Sequence, residues 1–315
     1  MKKLLTLFGI ALCVILLGNS SSFAQLSGNL YIPSDYPTIT DALTELNSQG
    51  VGDGGVTFNI VADYTEYVTD SLIIKATGTA DKPIVFQKDP ETVGANPLVT
   101  RTNAGIHTPT TIGARGDAII IIEGSDYVTF DGIDVTATNQ GIEYGYYIRK
   151  ASATNGCKFV TIKNSVITMT KGTSAYVVGL YSSNNIAGSA LNSITGVAVT
   201  SEGGRHENVT IIGNTVQNTY YGMYFLGYNH TTSPYNYYDQ NFTIGAEGAG
   251  NIIRNFGGNV ASTSDGIIIT YHNNESISYN TINNTDGGGT GFTSYGNGIL
   301  LNTSKAVTLN VSYNT

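Results

Sequence analysis

The side chains able to do acid–base, nucleophilic or metal chemistry are thinly spread along this chain. Its four histidines, His107, His206, His230 and His272, stand far apart without metal-ligand spacing, so each is expected to be a solvated loop residue. Cys13 lies in an apolar N-terminal run. Cys157 would then be the only cysteine of an exported chain, which leaves no internal disulfide and reads as a buried, inert thiol. A lyase acting on uronates needs a basic residue to take the proton beside the carboxylate, and often a bound Ca2+ to neutralise that carboxylate. Arg101, Arg115, Arg149, Arg205 and Arg254 are available, as are Asp126, Asp131 and Asp134, but no motif surrounds any of them. No catalytic residue, metal ligand or cofactor is assigned on this basis. For Ca2+ there is only a single DGGGTG turn at Asp286, without the tandem repeats that build a Ca2+-binding roll.

Tyrosines give the denser signal. Tyr220, Tyr221, Tyr224, Tyr228, Tyr235, Tyr237 and Tyr238 crowd one segment. Tyr221 or Tyr224 is expected to face inward and stack in the core. Tyr228, Tyr235, Tyr237 and Tyr238 fall in an insertion around residues 227–240 and are the candidate ligand-binding residues. They could form an aromatic platform with hydroxyls at its edge, on which the flat C–H faces of sugars would lie. The competing expectation is a loop packed on the flank of the molecule.

These residues must be held by a framework, and the framework is legible as a repeat. In Glu207–Leu226, Val209 and Ile211 alternate with polar neighbours, Gly213-Asn214 makes a turn, Val216 resumes, and Gly222-Met223-Tyr224-Phe225 starts another short apolar run. Residues 127–135 align with 159–167 at an offset of 32, matching Val128 with Val160, Phe130 with Ile162 and Val135 with Ile167. The same offset sets Asp131 over Lys163 as a surface ion pair, worth at most about 1 kcal/mol. Structural turn asparagines are expected at Asn164, Asn214, Asn280 and Asn314, and Gly-apolar strands begin at Gly145, Gly179, Gly222, Gly266 and Gly298. Ala118–Ile122, with four consecutive isoleucines, suits a parallel strand covered on both faces. Residues 25–33 read as a linker into a first strand. In the following stretch Ile39, Ala42, Leu43 and Leu46 make one helical stripe, with Thr38 and Asp41 as a capping pair and Gly50 as the stop, so a helix is expected over 38–49. Apolar positions in register at a near-constant offset, closed by a terminal helix, predict an all-β right-handed parallel β-helix with a short N-terminal amphipathic capping helix. The cap would take 25–55 and the solenoid 56–315.

Lys2 and Lys3, the apolar run Leu4–Leu17 and Ser22-Phe23-Ala24 predict a signal peptide over 1–24, hence a secreted or outer-surface chain with no membrane anchor after cleavage. Without those two lysines, 13 basic residues face 23 acidic ones, which disfavours nucleic acid as a partner. The repeat VTIIGNTVQNTYYGMYF resembles secreted β-helix proteins of the pectate-lyase-like superfamily. DYPTITDALTELNSQG with GGVTFNIVADYTEYV resembles the capped start of pectinesterase-like chains, and GTADKPIVF and DYVTFDGIDVTA resemble Bacteroidetes-type surface β-helix proteins exported by the type IX system. The resemblance spans about residues 29–315 and implies fold and export. It implies no activity: Asn284-Thr-Asp286 resembles the polygalacturonase motif, but no further Asp, Glu or His follows it. Since the chain breaks off in mid-rung at Tyr313-Asn-Thr315, it reads as a fragment. The expected function is a non-catalytic, monomeric surface protein contacting extracellular polysaccharide or cell-surface glycan through the Tyr-rich loop. The alternative is a polysaccharide lyase or glycoside hydrolase on the same fold.

Overall fold

In the computed structural model, residues 24–103, 117–171, 177–189, 195–257, 263–284 and 296–315 are described; residues 1–23 of the expected signal peptide, His107, Arg115 and the turn at Asp286 lie outside them. Every pairing between strands of the three large sheets is parallel, and strand order follows the chain coil by coil. The architecture is a right-handed parallel β-helix.

One sheet has nine strands, from Leu26–Ile32 to Leu309–Ser312, and two have seven, beginning at Thr65–Val68 and Leu72–Ile74. A coil visits the nine-stranded sheet, turns sharply into the sheet of Thr65–Val68, then crosses to the sheet of Leu72–Ile74. The alignment at an offset of 32 is physical register: Phe130 pairs with Ile162, and Val135 with Ile167. Lys163 Nζ lies 3.0 Å from Asp131 Oδ2, both side chains half-buried. Like side chains therefore stack on like. Phe58, Phe86 and Phe130 form an internal column with centroids 4.6 and 5.2 Å apart, near the strand spacing of about 4.8 Å.

Two columns of special backbone hold the coils together. At the sharp turn, Gly132, Asn164, Gly213, Tyr279 and Tyr313 all take positive φ. Beneath them runs an asparagine ladder. Asn214 Nδ2 donates to Ile162 O and Asn251 Oδ1, Asn251 Nδ2 to Ile211 O and Asn280 Oδ1, Asn280 Nδ2 to Ile244 O and Asn314 Oδ1, and Asn314 Nδ2 to Ile277 O. Asn214, Asn280 and Asn314 thus share one column. Asn164 is exposed and one position early, bonding Asp131, and Ser165 fills the ladder site. The second column is glycine. A Cβ on Gly222 would lie 2.4 Å from Gly266 O and 2.4 Å from Ile253 Cγ2, and a Cβ on Gly266 would lie 2.7 Å from Gly298 O.

At the N-terminal end the helix Ile39–Gln49 buries Ile39, Ala42, Leu43 and Leu46 against the first coils. Thr38 Oγ1 accepts from Asp41 N, and Gly50 closes the helix with φ 75°. Glu66, on a strand of the next coil, supplies a further cap: its carboxylate accepts from Ile39 N at 2.6 Å and Thr40 N at 3.1 Å. The segment expected as a linker is itself strand from Leu26, because it pairs with Val51–Ile60 and so shields that strand's edge.

Candidate functional site

In the sheet that begins at Leu72–Ile74, four of the seven strands are buried on both faces. Ala118–Glu123, Tyr144–Arg149, Val178–Ser183 and Ser264–Thr270 are buried at every position. Its inner face carries Tyr146, Ile148, Leu180, Met223 and Phe225, and its outer face a separate cluster of Tyr144, Tyr147, Tyr181, Tyr221 and Tyr224. The expectation that Tyr221 or Tyr224 stacks in the core is therefore corrected. Strand alternation gives the inward positions to Met223 and Phe225, so Tyr224 must face out.

The outer rings run across the strands as a continuous ridge. Centroids of Tyr144 and Tyr181 are 4.4 Å apart and stacked, Tyr147 and Tyr181 5.1 Å, Tyr181 and Tyr224 5.8 Å. Beyond Tyr224 the ridge opens into a groove of about 440 Å³. In register across its floor lie Leu226, Thr270 and Asn302 from three adjacent strands. Tyr271 and Thr303 follow in left-handed turns, with φ of 58° and 54°. Gly227 permits this approach, since a Cβ there would sit 2.4 Å from Tyr271 O. Tyr228 and Asn229 from the insertion, together with Thr195, complete the wall.

Of the four tyrosines expected in the binding loop, Tyr228 lines this groove. Tyr237 stacks on His230 at 4.4 Å, and His230 faces Tyr228 at 6.2 Å. Tyr235 stacks on Tyr238 at 5.4 Å, and Tyr238, only 2% exposed, packs behind Tyr271 at 5.9 Å. The four form two stacks instead of one platform, and only Tyr228 of them lines the groove, where Tyr224 and Tyr271 supply the other rings. Tyr271 is not legible as a site residue because it lies 33 positions beyond Tyr238, the last tyrosine of the insertion.

The insertion is pinned from below by buried charge. Asp239 Oδ1 meets Lys150 Nζ at 2.9 Å and accepts from His206 N at 2.7 Å, with both charged side chains fully buried. His206 Nδ1 accepts from Cys157 N at 2.9 Å while Nε2 faces Ser183 O at 3.1 Å, which fits a neutral ring protonated at Nε2. Burial, then the nearby Lys150 charge, holds its pKa well below the ordinary range. His272 Nδ1 lies 3.2 Å from Glu275 Oε1. Burial drives the two in opposite directions, His272 down to about 4 and the Glu275 carboxyl well up. Burial thus disfavours charge on both members of this contact. His206 and His272 are core residues, correcting the expectation of solvated loops: His206 is enclosed by Cys157, Ser183 and Asp239 of neighbouring coils, and His272 packs against Phe242 and Glu275. Burial also pushes the Cys157 thiol up to about 12, leaving it inert. Among the described residues, no three or more His, Cys, Asp or Glu side chains are placed to hold a metal ion. The described lining of the groove consists of tyrosine rings, one leucine, glycine backbone, and Thr and Asn polar groups. Such a surface can stack a ring and hydrogen-bond hydroxyls.

No protein-family model matches the chain, and no curated protein sequence matches it either. Among solved structures it is similar to the GH136 lacto-N-biosidase of Eubacterium ramulus (14% identity, TM-score 0.53), over 84% of this chain and 52% of that enzyme. It spans about half the length of that protein. Weaker similarity extends to PfbA, a surface adhesin of Streptococcus pneumoniae (14% identity, TM-score 0.37, covering 90% and 78%), and to a rhamnogalacturonan lyase (12%, TM-score 0.34, covering 92% and 88%). What the chain has in common with the biosidase at this identity is the fold, a solenoid of parallel strands.

Proposed function

We propose that this chain is a surface or secreted β-helix protein that contacts polysaccharide at the groove of Tyr224, Tyr228 and Tyr271 and binds without cleaving. The observation that carries the reading is the meeting of three tyrosine rings with Thr and Asn hydrogen-bonding groups in one groove, on a rigid sheet. Rings fixed by such a support lose little entropy on binding a sugar face. Export is supported by the leader-like N-terminus. Among the described residues, no helix is long and apolar enough to cross a membrane.

Affinity electrophoresis on polysaccharide gels tests the proposal, with reducing-sugar and unsaturated-product assays run alongside. Tyr224→Ala and Tyr271→Ala should each reduce retardation about twofold to tenfold, given ring stacking of roughly 0.5–1.5 kcal/mol. Tyr224→Ala also lowers the thermal midpoint, because that ring packs on Tyr181 and Tyr221, so binding is compared below the transition. Retardation unchanged in both variants would reject the groove. Sugar release that rises with protein concentration would reject the non-catalytic part.

A further inference from the structure

We infer that the groove takes a neutral glycan, one without carboxylate or sulfate groups along its chain. The inference rests on the binding reading above and names its ligand class. Among the described residues that line the groove, none carries a formal charge. A uronate seated there would bring an anion against tyrosine rings and Leu226 with no fixed cation to receive it, and an uncompensated charge at a partly desolvated site is strongly disfavoured. The Lys150 ammonium is already committed to Asp239, both fully buried. Lys305, two residues past Thr303, is exposed and outside the lining. The acidic excess of the whole chain, a formal net charge of −8, repels polyanions further.

Thr270 supplies a second, independent observation. Thr270 lines the groove at 4% residue exposure, and its buried Oγ1, which neighbours the Tyr224 hydroxyl, has no well-formed hydrogen bond within the protein. A buried hydroxyl is both donor and acceptor, and a ligand hydroxyl satisfies both roles. A carboxylate could only accept. Thr270 stands in register between Leu226 and Asn302, so the floor offers apolar, hydroxyl and amide groups in successive steps. The alternating C–H and hydroxyl surfaces of a neutral hexose match that order.

The test uses the whole chain on two sets of gels. Neutral gels are mixed-linkage glucan, galactan, xyloglucan and glucomannan; acidic gels are polygalacturonate, alginate and chondroitin sulfate. Retardation is expected on at least one neutral gel, independent of added salt, and on none of the acidic ones. Thr270→Val, which keeps the shape and removes the hydroxyl, should weaken it about fivefold to tenfold. Lys305→Gln should leave it unchanged. Retardation on any acidic gel, or retardation abolished by salt or by Lys305→Gln, overturns the neutral-glycan inference; if Tyr271→Ala still removes that retardation, the groove as binding site survives. Retardation on no gel, or insensitive to Tyr224→Ala and Tyr271→Ala, overturns the groove itself. Thermal unfolding of each variant separates lost binding from lost fold.

Discussion

Glu143 shows how far burial can set the chemistry of one residue. It is 1% exposed, and neither carboxylate oxygen has a well-formed hydrogen bond. Desolvation pushes its pKa up to about 8, Asp117 adding repulsion and Arg101 opposing it. Between the ordinary value of 4.5 and about 8 the folded chain holds a proton that the unfolded chain has released, so stability falls as pH rises through that window. Glu143→Gln should therefore raise the urea-unfolding free energy at pH 8 by on the order of 2 kcal/mol and change it little at pH 4.5. Equal shifts at both pH values would refute the assignment. His272 acts with the opposite sign: its pKa is depressed from 6.5 to about 4, so stability is lost as pH falls through that interval. None of this was legible in the sequence, where the histidines read as solvated, because the burial of a side chain depends on which neighbours the coil brings over it. The ladder was more readable. Asn214, Asn280 and Asn314 stand out at the turn of the repeat. Asn251 escaped notice because the detour Gly245–Gly250 displaces it from its strand, and Asn164 misled because it occupies the turn one step before Ser165.

At the scale of the element, the helix and the glycine column were both written locally. Thr38, Asp41 and Gly50 cap and stop the helix where capping chemistry places them. Glu66 was not legible, since it reaches the helix from a strand 26 or 27 residues onward. The glycine spacings mark strand starts, and the fold adds the reason: the backbone of one coil closes onto the next at those positions. Gly222→Ala must displace Gly266 O and Ile253 Cγ2, each 2.4 Å from the new methyl. It should cost about 2 kcal/mol or more, read as a lowered thermal midpoint. Gly188→Ala, which meets nothing within 4 Å, is the matched control and should stay within about 0.5 kcal/mol of the parent. Similar losses in both would mean that close coil contact is not the cause.

Across the whole molecule, stability in a solenoid is largely a sum of contacts between adjacent coils. The Lys150–Asp239 pair departs from that rule by joining residues 89 apart in sequence beneath the Tyr-rich insertion. Asp239→Ala leaves a buried ammonium without its counter-ion and should cost about 3–5 kcal/mol, whereas Lys150→Met with Asp239→Leu should recover most of that loss. A double variant as unstable as the single would show that the pair itself, and not the stranded charge, is what matters. The sequence by itself determined the repeat, the parallel solenoid and its helical cap, because those depend on local alternation, turn residues and capping groups that recur at a readable period. Only the tertiary structure decided that Tyr224, Tyr228 and Tyr271 share a groove that Tyr235, Tyr237 and Tyr238 do not line. Stacking sets the distance between residues on neighbouring coils near 5 Å whatever their separation along the chain, and insertions of unequal length conceal from the linear order which residues those will be.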